Sequence, residues 1–367
     1  MLAARDPRCA AEFAKKHQIP RAYDSYEEML SDPTIDAVYI SSPNGLHRTH
    51  TLKALRAGKH VLCEKPLASN EEEAKEMARE AAAAGKVLFE AFHYRYHPAI
   101  LRAKQIATEE LGQVKRVAAN FPIPSVYHNR DDIRFNYELA GGSLVRKCCF
   151  YGYFSRHIDY FSCNFVNFGQ FWSFSVHFHE QFVHFHSFPF IFSSFFSYFF
   201  SLSLSQMDAG SYCVNFVRYF MDAEPVEVSA ASAKTHPSTP NTDDTAFAKL
   251  RFEDSSRTAT VECSLVGSLL NPFPFATVYC ERGEIEVYNF VLPQIYHKLI
   301  VRPTGQPQRV EQLYEGGKST FLFQLAAFVE AVRNGKEFPT TAEDAVKNMR
   351  VIDMIYAKTN LPLRQGK

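Results

Sequence analysis

The chain has 367 residues, 40 basic and 40 acidic side chains, and a hydrophobic fraction of 46%. That length suits two domains with sizeable cores, and the balanced charge gives no electrostatic case for nucleic acid or an anionic membrane surface as a partner. The eight cysteines contain no C-x-x-C pair, so they read as reduced thiols of a cytoplasmic protein, with no disulfide frame and no metal site expected. Charge at Arg5 and Asp6 leaves no room for a secretory apolar segment.

In chain order, Asp6 and Pro7 predict the start of a helix through CAAEFAKKH. DAVYI (36–40) reads as a buried strand of the parallel type. Asn44 is expected to cap a helix through LHRTHTLKALRAG, stopped by Gly58. HVLCE (60–64) is the next strand, Asn70 caps a helix that ends at Gly85, and KVLFEAF (86–92) is a third strand. Alternating strands and helices with short connections predict βαβ units in a doubly wound sheet. After Gly112 the pattern changes to alternating runs, KRVAANFPI, VEVSAASAKT, TAFAKLRFED, RTATVECSL and ATVYCERGEIEVY, which suit an open antiparallel sheet. Two helices close the chain, within 319–335 and 341–359. The fold class is therefore α/β: an incomplete Rossmann-type parallel sheet domain over 1–112, then an α+β domain with a mainly antiparallel open sheet over 113–144 and 207–367.

Between those two parts of the second domain, residues 145–206 have a different composition. They hold 17 of the 33 Phe and the single Trp, Trp172, but no Ala, Thr or Met. Neither helical nor strand periodicity runs through them. Three readings compete. Residues 188–205 are uncharged and about long enough to span a bilayer, but they are rich in Ser and lack flanking Lys/Arg asymmetry. His177, His179, His184 and His186 suggest a zinc site, yet two H-F-H pairs are a weak signature. The reading adopted is a translated intron. Phe, Ser and Leu have pyrimidine-rich codons, the run ends in Gln206 as a 3′ acceptor would, and Val145-Arg146-Lys147 can encode a 5′ donor.

Ser41 to Asn70, SSPNGLHRTHTLKALRAGKHVLCEKPLASN, resembles the glucose-fructose oxidoreductase / inositol dehydrogenase / rhizopine-catabolism (Gfo/Idh/MocA) family. The family's E-K-P stands as Glu64-Lys65-Pro66, its S/T-P-N-x-x-H as Ser42-Pro43-Asn44-Gly45-Leu46-His47, and its D-x-G-x-Y as Asp208-Ala209-Gly210-Ser211-Tyr212. A G-G-x-L segment precedes the last motif in the family, and here it is Gly141–Leu144. Joining Leu144 to Met207 restores the family's spacing, which supports the intron reading. The chain also resembles the dimeric dihydrodiol dehydrogenases and the fungal NADP-dependent D-xylose 1-dehydrogenases, which share the Ala-Ala-Arg-Asp opening. Family members begin with a strand and a G-x-G-x-x-G turn that holds pyrophosphate. These residues contain no such turn, so the expectation is an N-terminally truncated chain lacking about one βα unit.

The resemblance implies an oxidoreductase that moves hydride between a nicotinamide cofactor and an aldose or trans-dihydrodiol, D-xylose 1-dehydrogenase-like. It gives Tyr212 the acid/base role, Lys65 the assisting role and Asp208 an orienting role. A phenol near pKa 10 is a poor base alone, but a neighbouring Lys cation and an oxidised nicotinamide favour phenolate. Tyr39, Ser42, Pro43, Asn44, His47, Glu64 and Lys65 are implied at the cofactor. Arg5, after the presumed second strand, is placed to meet a 2′-phosphate, which favours NADP over NAD. Arg95 and His97 follow the third strand and are candidates to face the cleft. The expected partners are a small sugar or diol and a second copy of the chain through the C-terminal sheet, with no nucleic acid and no membrane. Two alternatives stay open: a non-catalytic, nucleotide-sensing regulatory relative, and a non-functional truncated product.

Overall fold

The computed structural model describes residues 1–124, 136–140, 209–236, 239–267, 273–312 and 317–366. The Phe-rich segment 145–206, the Gly141–Leu144 segment and Asp208 lie outside the described residues.

Residues 1–35 belong to one compact unit. Strand β1 (Leu2–Ala3) pairs in parallel with β2 (Ala22–Tyr23). Helix α1 (Pro7–Lys16) connects them, and the Asp6 carboxylate accepts the Arg8 amide at its start. Pro7 occupies the first turn, where a missing N–H costs nothing. A second short helix, α2 (Tyr26–Ser31), is capped by Ser25. Asp32 follows it and gathers the Tyr23 hydroxyl at 2.6 Å and Arg21 at 2.9 Å.

Residues 36–140 and 209–366 belong to a second unit. Its first layer is a parallel sheet in the order β3 (Ala37–Ile40), β4 (His60–Cys63), β5 (Leu88–Glu90). The expected strand over 86–92 is shorter than its apolar run, because the chain turns into a 3₁₀ segment over His93–Tyr96. Helix α3 (His47–Arg56) links β3 to β4, and α4 (Glu71–Ala84) links β4 to β5. The predicted cap at Asn44 is corrected: Asn44–Leu46 forms a 3₁₀ turn and α3 starts at His47 with no side-chain cap. Asn44 is the first residue of the 3₁₀ turn, with Pro43 extended before it, so it lacks the non-helical backbone an N-cap needs, and the Asn44 amide is left with both ends buried and unpartnered. The α4 prediction holds at both ends. Asn70 accepts the Glu73 amide at 2.9 Å, Glu71–Glu73 sit in the positive first turn, and Gly85 closes the helix at φ 61°.

The second layer is an eight-stranded sheet. Its order is β13 (Arg309–Glu311), β12 (Lys298–Pro303), β11 (Gly283–Tyr288), β10 (Phe275–Cys280), β6 (Val114–Pro124), β9 (Thr258–Gly267), β8 (Thr239–Arg251), β7 (Glu227–His236). Every pairing is antiparallel except β6 with β9, which is parallel. Alternate residues of β9, Ala259, Val261, Cys263 and Leu265, are buried on one face, as a half-covered sheet requires. That face is covered by α6 (Ala209–Met221), a helix buried along almost its whole length. It comes after α5 (Pro98–Gln105) in the chain, whose start is capped by His97. The chain closes with α7 (Thr320–Asn334) and α8 (Ala342–Thr359). Within this unit α8 lies beside α4, where the Asp353 carboxylate accepts the Glu71 amide at 2.8 Å. A stacked aromatic cluster joins β5 to α7: Phe89 lies 4.5 Å from Phe338 and 5.6 Å, edge-on, from Phe328.

Among the described residues Cys9, Cys63, Cys213, Cys263 and Cys280 are thiols outside any disulfide. No helix among the described residues is long and apolar enough to cross a membrane.

Candidate active site

The site is built at the carboxyl ends of β3, β4 and β5, where open α/β sheets place their ligands. After β3 comes Ser42-Pro43-Asn44, and after β4 comes Glu64-Lys65-Pro66. The two turns are tied together by His47, whose Nδ1 lies 3.0 Å from the Pro66 carbonyl and Nε2 2.8 Å from the Ser42 carbonyl. Burial pushes the His47 imidazole down to about 4 while the two carbonyls pull it up; a neutral ring donates to one of them, and only a protonated ring donates to both. Tyr39 is half exposed on β3, and its hydroxyl donates to the Glu64 carboxylate. The Lys65–Pro66 peptide bond is cis.

Lys65 is completely buried. Its Nζ lies 4.3 Å from the centre of the Tyr212 ring, a cation–π contact worth about 2 kcal/mol when desolvated. Tyr212 comes from α6, 147 residues later in the chain. Helix and strand end are thus brought together at these two side chains, while Asp208 falls outside the described residues. Arg5 stands exposed just beyond β1, in the unit of residues 1–35.

Two further residues were not foreseen. The Tyr212 hydroxyl is 2.8 Å from His93 Nε2, in the 3₁₀ turn after β5. Burial first, and the Lys65 cation second, push the His93 imidazole down to about 3, so it is neutral. Its Nδ1 is buried with no partner, and its ring packs 4.2 Å from that of Phe321. The other is Glu90, the last residue of β5, which bonds the turn that carries Lys65. Its Oε1 accepts the Leu67 amide at 2.8 Å, directly behind the Lys65–Pro66 turn, and its Oε2 has no partner. Burial, reinforced by the nearby Asp344 charge, pushes the Glu90 carboxyl up to about 8.

Arg95 and His97 do other work than facing a cleft. Arg95 donates to Asp344 at 3.1 Å and lies over the Tyr219 ring. Asp344 also takes Arg218 at 2.8 Å, so the turn after β5 is tied to α6 and to the start of α8. His97 accepts the Ala99 amide as a helix cap. An ion pair and a cap are ordinary structural uses, and a histidine or arginine after a strand does not reveal them in sequence.

Comparison with known proteins bears on the same segments. Residues 1–92 match the model of the oxidoreductase family with an NAD-binding Rossmann fold, and residues 203–286 match the GFO/IDH/MocA C-terminal domain. A D-xylose 1-dehydrogenase (NADP(+)) of Haloferax volcanii is 43% identical over 149 residues, which are 41% of this chain and 46% of the relative. A trans-1,2-dihydrobenzene-1,2-diol dehydrogenase of Sus scrofa is 43% identical over 147 residues, 39% of this chain and 42% of the relative. The matches thus span less than half the length of these relatives. Among solved structures, an aldose-aldose oxidoreductase from Caulobacter crescentus superposes with a TM-score of 0.72 at 23% identity, over 98% of this chain and 88% of that one. At that identity the likeness is one of fold: a Rossmann-like parallel sheet followed by a mainly antiparallel sheet.

Proposed function

Because the chain carries domains of the Gfo/Idh/MocA oxidoreductase family, we propose that it is an NADP-dependent dehydrogenase that oxidises a CH–OH group of an aldose or trans-dihydrodiol, in the manner of a D-xylose 1-dehydrogenase. The observation that carries the reading is the buried Lys65 ammonium, 4.3 Å from the Tyr212 ring, at the carboxyl end of β4. An ammonium fixed there, beside a phenol on a buried helix, sets a positive charge next to the group that would exchange a proton with a substrate hydroxyl.

The residues suit a nicotinamide dinucleotide. The Asn44 amide and the Ser42 hydroxyl are buried and unpartnered at the end of β3, and they would hold it through hydrogen bonds. When bound, such a cofactor supplies the hydride acceptor. The chain supplies the rest. Lys65 holds the substrate hydroxyl oxygen through its ammonium, and Tyr212, as a phenolate that has released its own proton to solvent before substrate binds, takes the hydroxyl proton at its phenolic oxygen. Asp208 orients the pair, and His47 fixes the two turns relative to each other. Arg5 meets the 2′-phosphate, which favours NADP. The protein acts as a homo-oligomer through its C-terminal sheet.

The test is steady-state reduction of NADP by the purified protein with D-xylose and with a trans-dihydrodiol, followed by the absorbance of the reduced nicotinamide. Turnover of either substrate is the expected result. No turnover of any aldose or diol, with either nicotinamide cofactor, would reject it.

A further inference from the structure

We propose that His93 is the positioning residue for proton transfer at Tyr212: its neutral Nε2–H donates to the phenolic oxygen and holds that oxygen as the acceptor of the substrate proton. The inference rests on the dehydrogenase reading above and names a residue outside its three family motifs.

The argument starts from the ring's two nitrogens. Nε2 is 2.8 Å from the Tyr212 oxygen, and Nδ1 is buried without a partner. Burial and the nearby Lys65 cation keep the ring neutral, so it carries one N–H only. If that proton sat on Nδ1, a buried donor would have no acceptor, an arrangement rarely tolerated. On Nε2 it is satisfied by the tyrosine oxygen. A bare Nδ1 lone pair beside the Phe321 ring is the lesser penalty. When Tyr212 gives up its proton, its oxygen can only accept, and the Nε2–H is already aimed at it. Hydrogen bonds to a charged acceptor are roughly twice as strong as neutral ones, so the contact strengthens when the phenolate forms.

The ionisable groups facing this pair among the described residues are Lys65, His97 and Tyr94, whose hydroxyl is turned to Asn215 Oδ1 at 2.7 Å and which burial holds protonated. Lys65 acts in the same direction as His93, and His97 is itself held neutral, at about 4. The rings of Phe92, Tyr94 and Phe121 surround Tyr212 at 5.4 to 6.0 Å. They exclude water and add no competing donor from the ring itself.

Two independent measurements decide the matter. Nitrogen NMR of histidine-labelled protein reports the tautomer directly: an Nε2–H resonance is expected for His93, and an Nδ1–H tautomer would overturn the proposal. In kinetics, His93→Phe keeps a ring against Phe321 but loses the donor. The expected result is a kcat about 10- to 100-fold lower and an acid limb of the pH profile displaced upward by about one to two units. His93→Gln places an amide N–H near the Nε2 position and should restore most of both. An unmoved pH profile in His93→Phe, or no recovery in His93→Gln, would also overturn it. Should His93→Phe fail to fold, the tautomer measurement on the wild-type protein still decides. A wild-type protein without any sugar or diol dehydrogenase activity would defeat the parent reading instead, and the tautomer would remain a separate answer.

Discussion

The Arg364 guanidinium donates to the Asp243 carboxylate at 2.8 Å, and both side chains are completely buried. Arg364 also lies over the Tyr356 ring, whose hydroxyl donates to the same carboxylate oxygen at 2.9 Å. The tail is held at a further point, where the Arg364 carbonyl accepts from Asn70 at the cap of α4. Replacing the cation alone leaves a buried carboxylate without its counter-charge. Arg364→Met should therefore cost about 3–5 kcal/mol, measured by urea unfolding. Adding Asp243→Asn should recover part of that loss, and a cost below about 1 kcal/mol would show that the tail anchor is dispensable.

Glu90 predicts how stability changes toward alkaline pH. Its carboxyl is pushed up to about 8 in the folded protein, from an ordinary 4.5. The folded state therefore keeps this proton over a range where the unfolded chain has lost it. The stability linked to it is full below about pH 4.5 and falls as pH rises toward 8. The groups acting on Glu90 are Asp344, which raises it, and Arg218 and Arg95, which oppose that. Glu90→Gln keeps an acceptor for the Leu67 amide and removes the titration. Its Tm should gain on the wild type steadily from about pH 5 to 8, and a constant difference across that range would contradict the assignment.

Much of this arrangement was legible in sequence, for identifiable reasons. Helix α4 carries its own punctuation, Asn70 at one end and Gly85 at the other. Lys65 and Tyr212 were marked by motifs, and both motifs sit where strand ends and buried helices belong. Other features leave no local trace. The parallel pairing of β6 with β9 has the same alternation as an antiparallel one, so periodicity cannot distinguish them. Strand β12, KLIVRP, has neither alternation nor a turn signal at its start. His93 meets Tyr212 across 119 residues, and nothing in FHYRYHP distinguishes it from His97, which merely caps a helix. Asn44 was misread as a cap because it precedes an apolar period. The 3₁₀ turn takes up Asn44–Leu46, so the cap position of the helix falls at Leu46, two residues on.

The Phe-rich segment leads to a prediction at the level of the message. The Phe/Ser/Leu run ending in Gln206 motivates it, together with the family spacing regained by joining Leu144 to Met207. Reverse-transcription PCR across that junction should give a product lacking the 62 codons of residues 145–206. A single product that retains them all would reject the intron reading.

The proposed preference for NADP is tested at Arg5, exposed beyond the end of β1. On that proposal its guanidinium would meet the 2′-phosphate through charge-assisted hydrogen bonds. Arg5→Ala should lower kcat/KM with NADP by about 10-fold or more, while NAD is little affected. Equal losses with the two cofactors would mean that Arg5 does not read the 2′ position.

The most direct measurement is the kcat of Tyr212→Phe, compared with that of Lys65→Met and of the double variant. Tyr212→Phe removes one hydroxyl from a helix whose packing is otherwise retained, so a loss of rate reports on the proton. General acid–base help is worth about 10²–10⁴-fold, and kcat should fall by that much with KM nearly unchanged. Lys65→Met should fall comparably. The double variant should be little worse than the poorer single one, because the two groups act as a unit. A Tyr212→Phe enzyme that keeps most of its kcat, with its pH profile unmoved, would mean that another residue carries the proton.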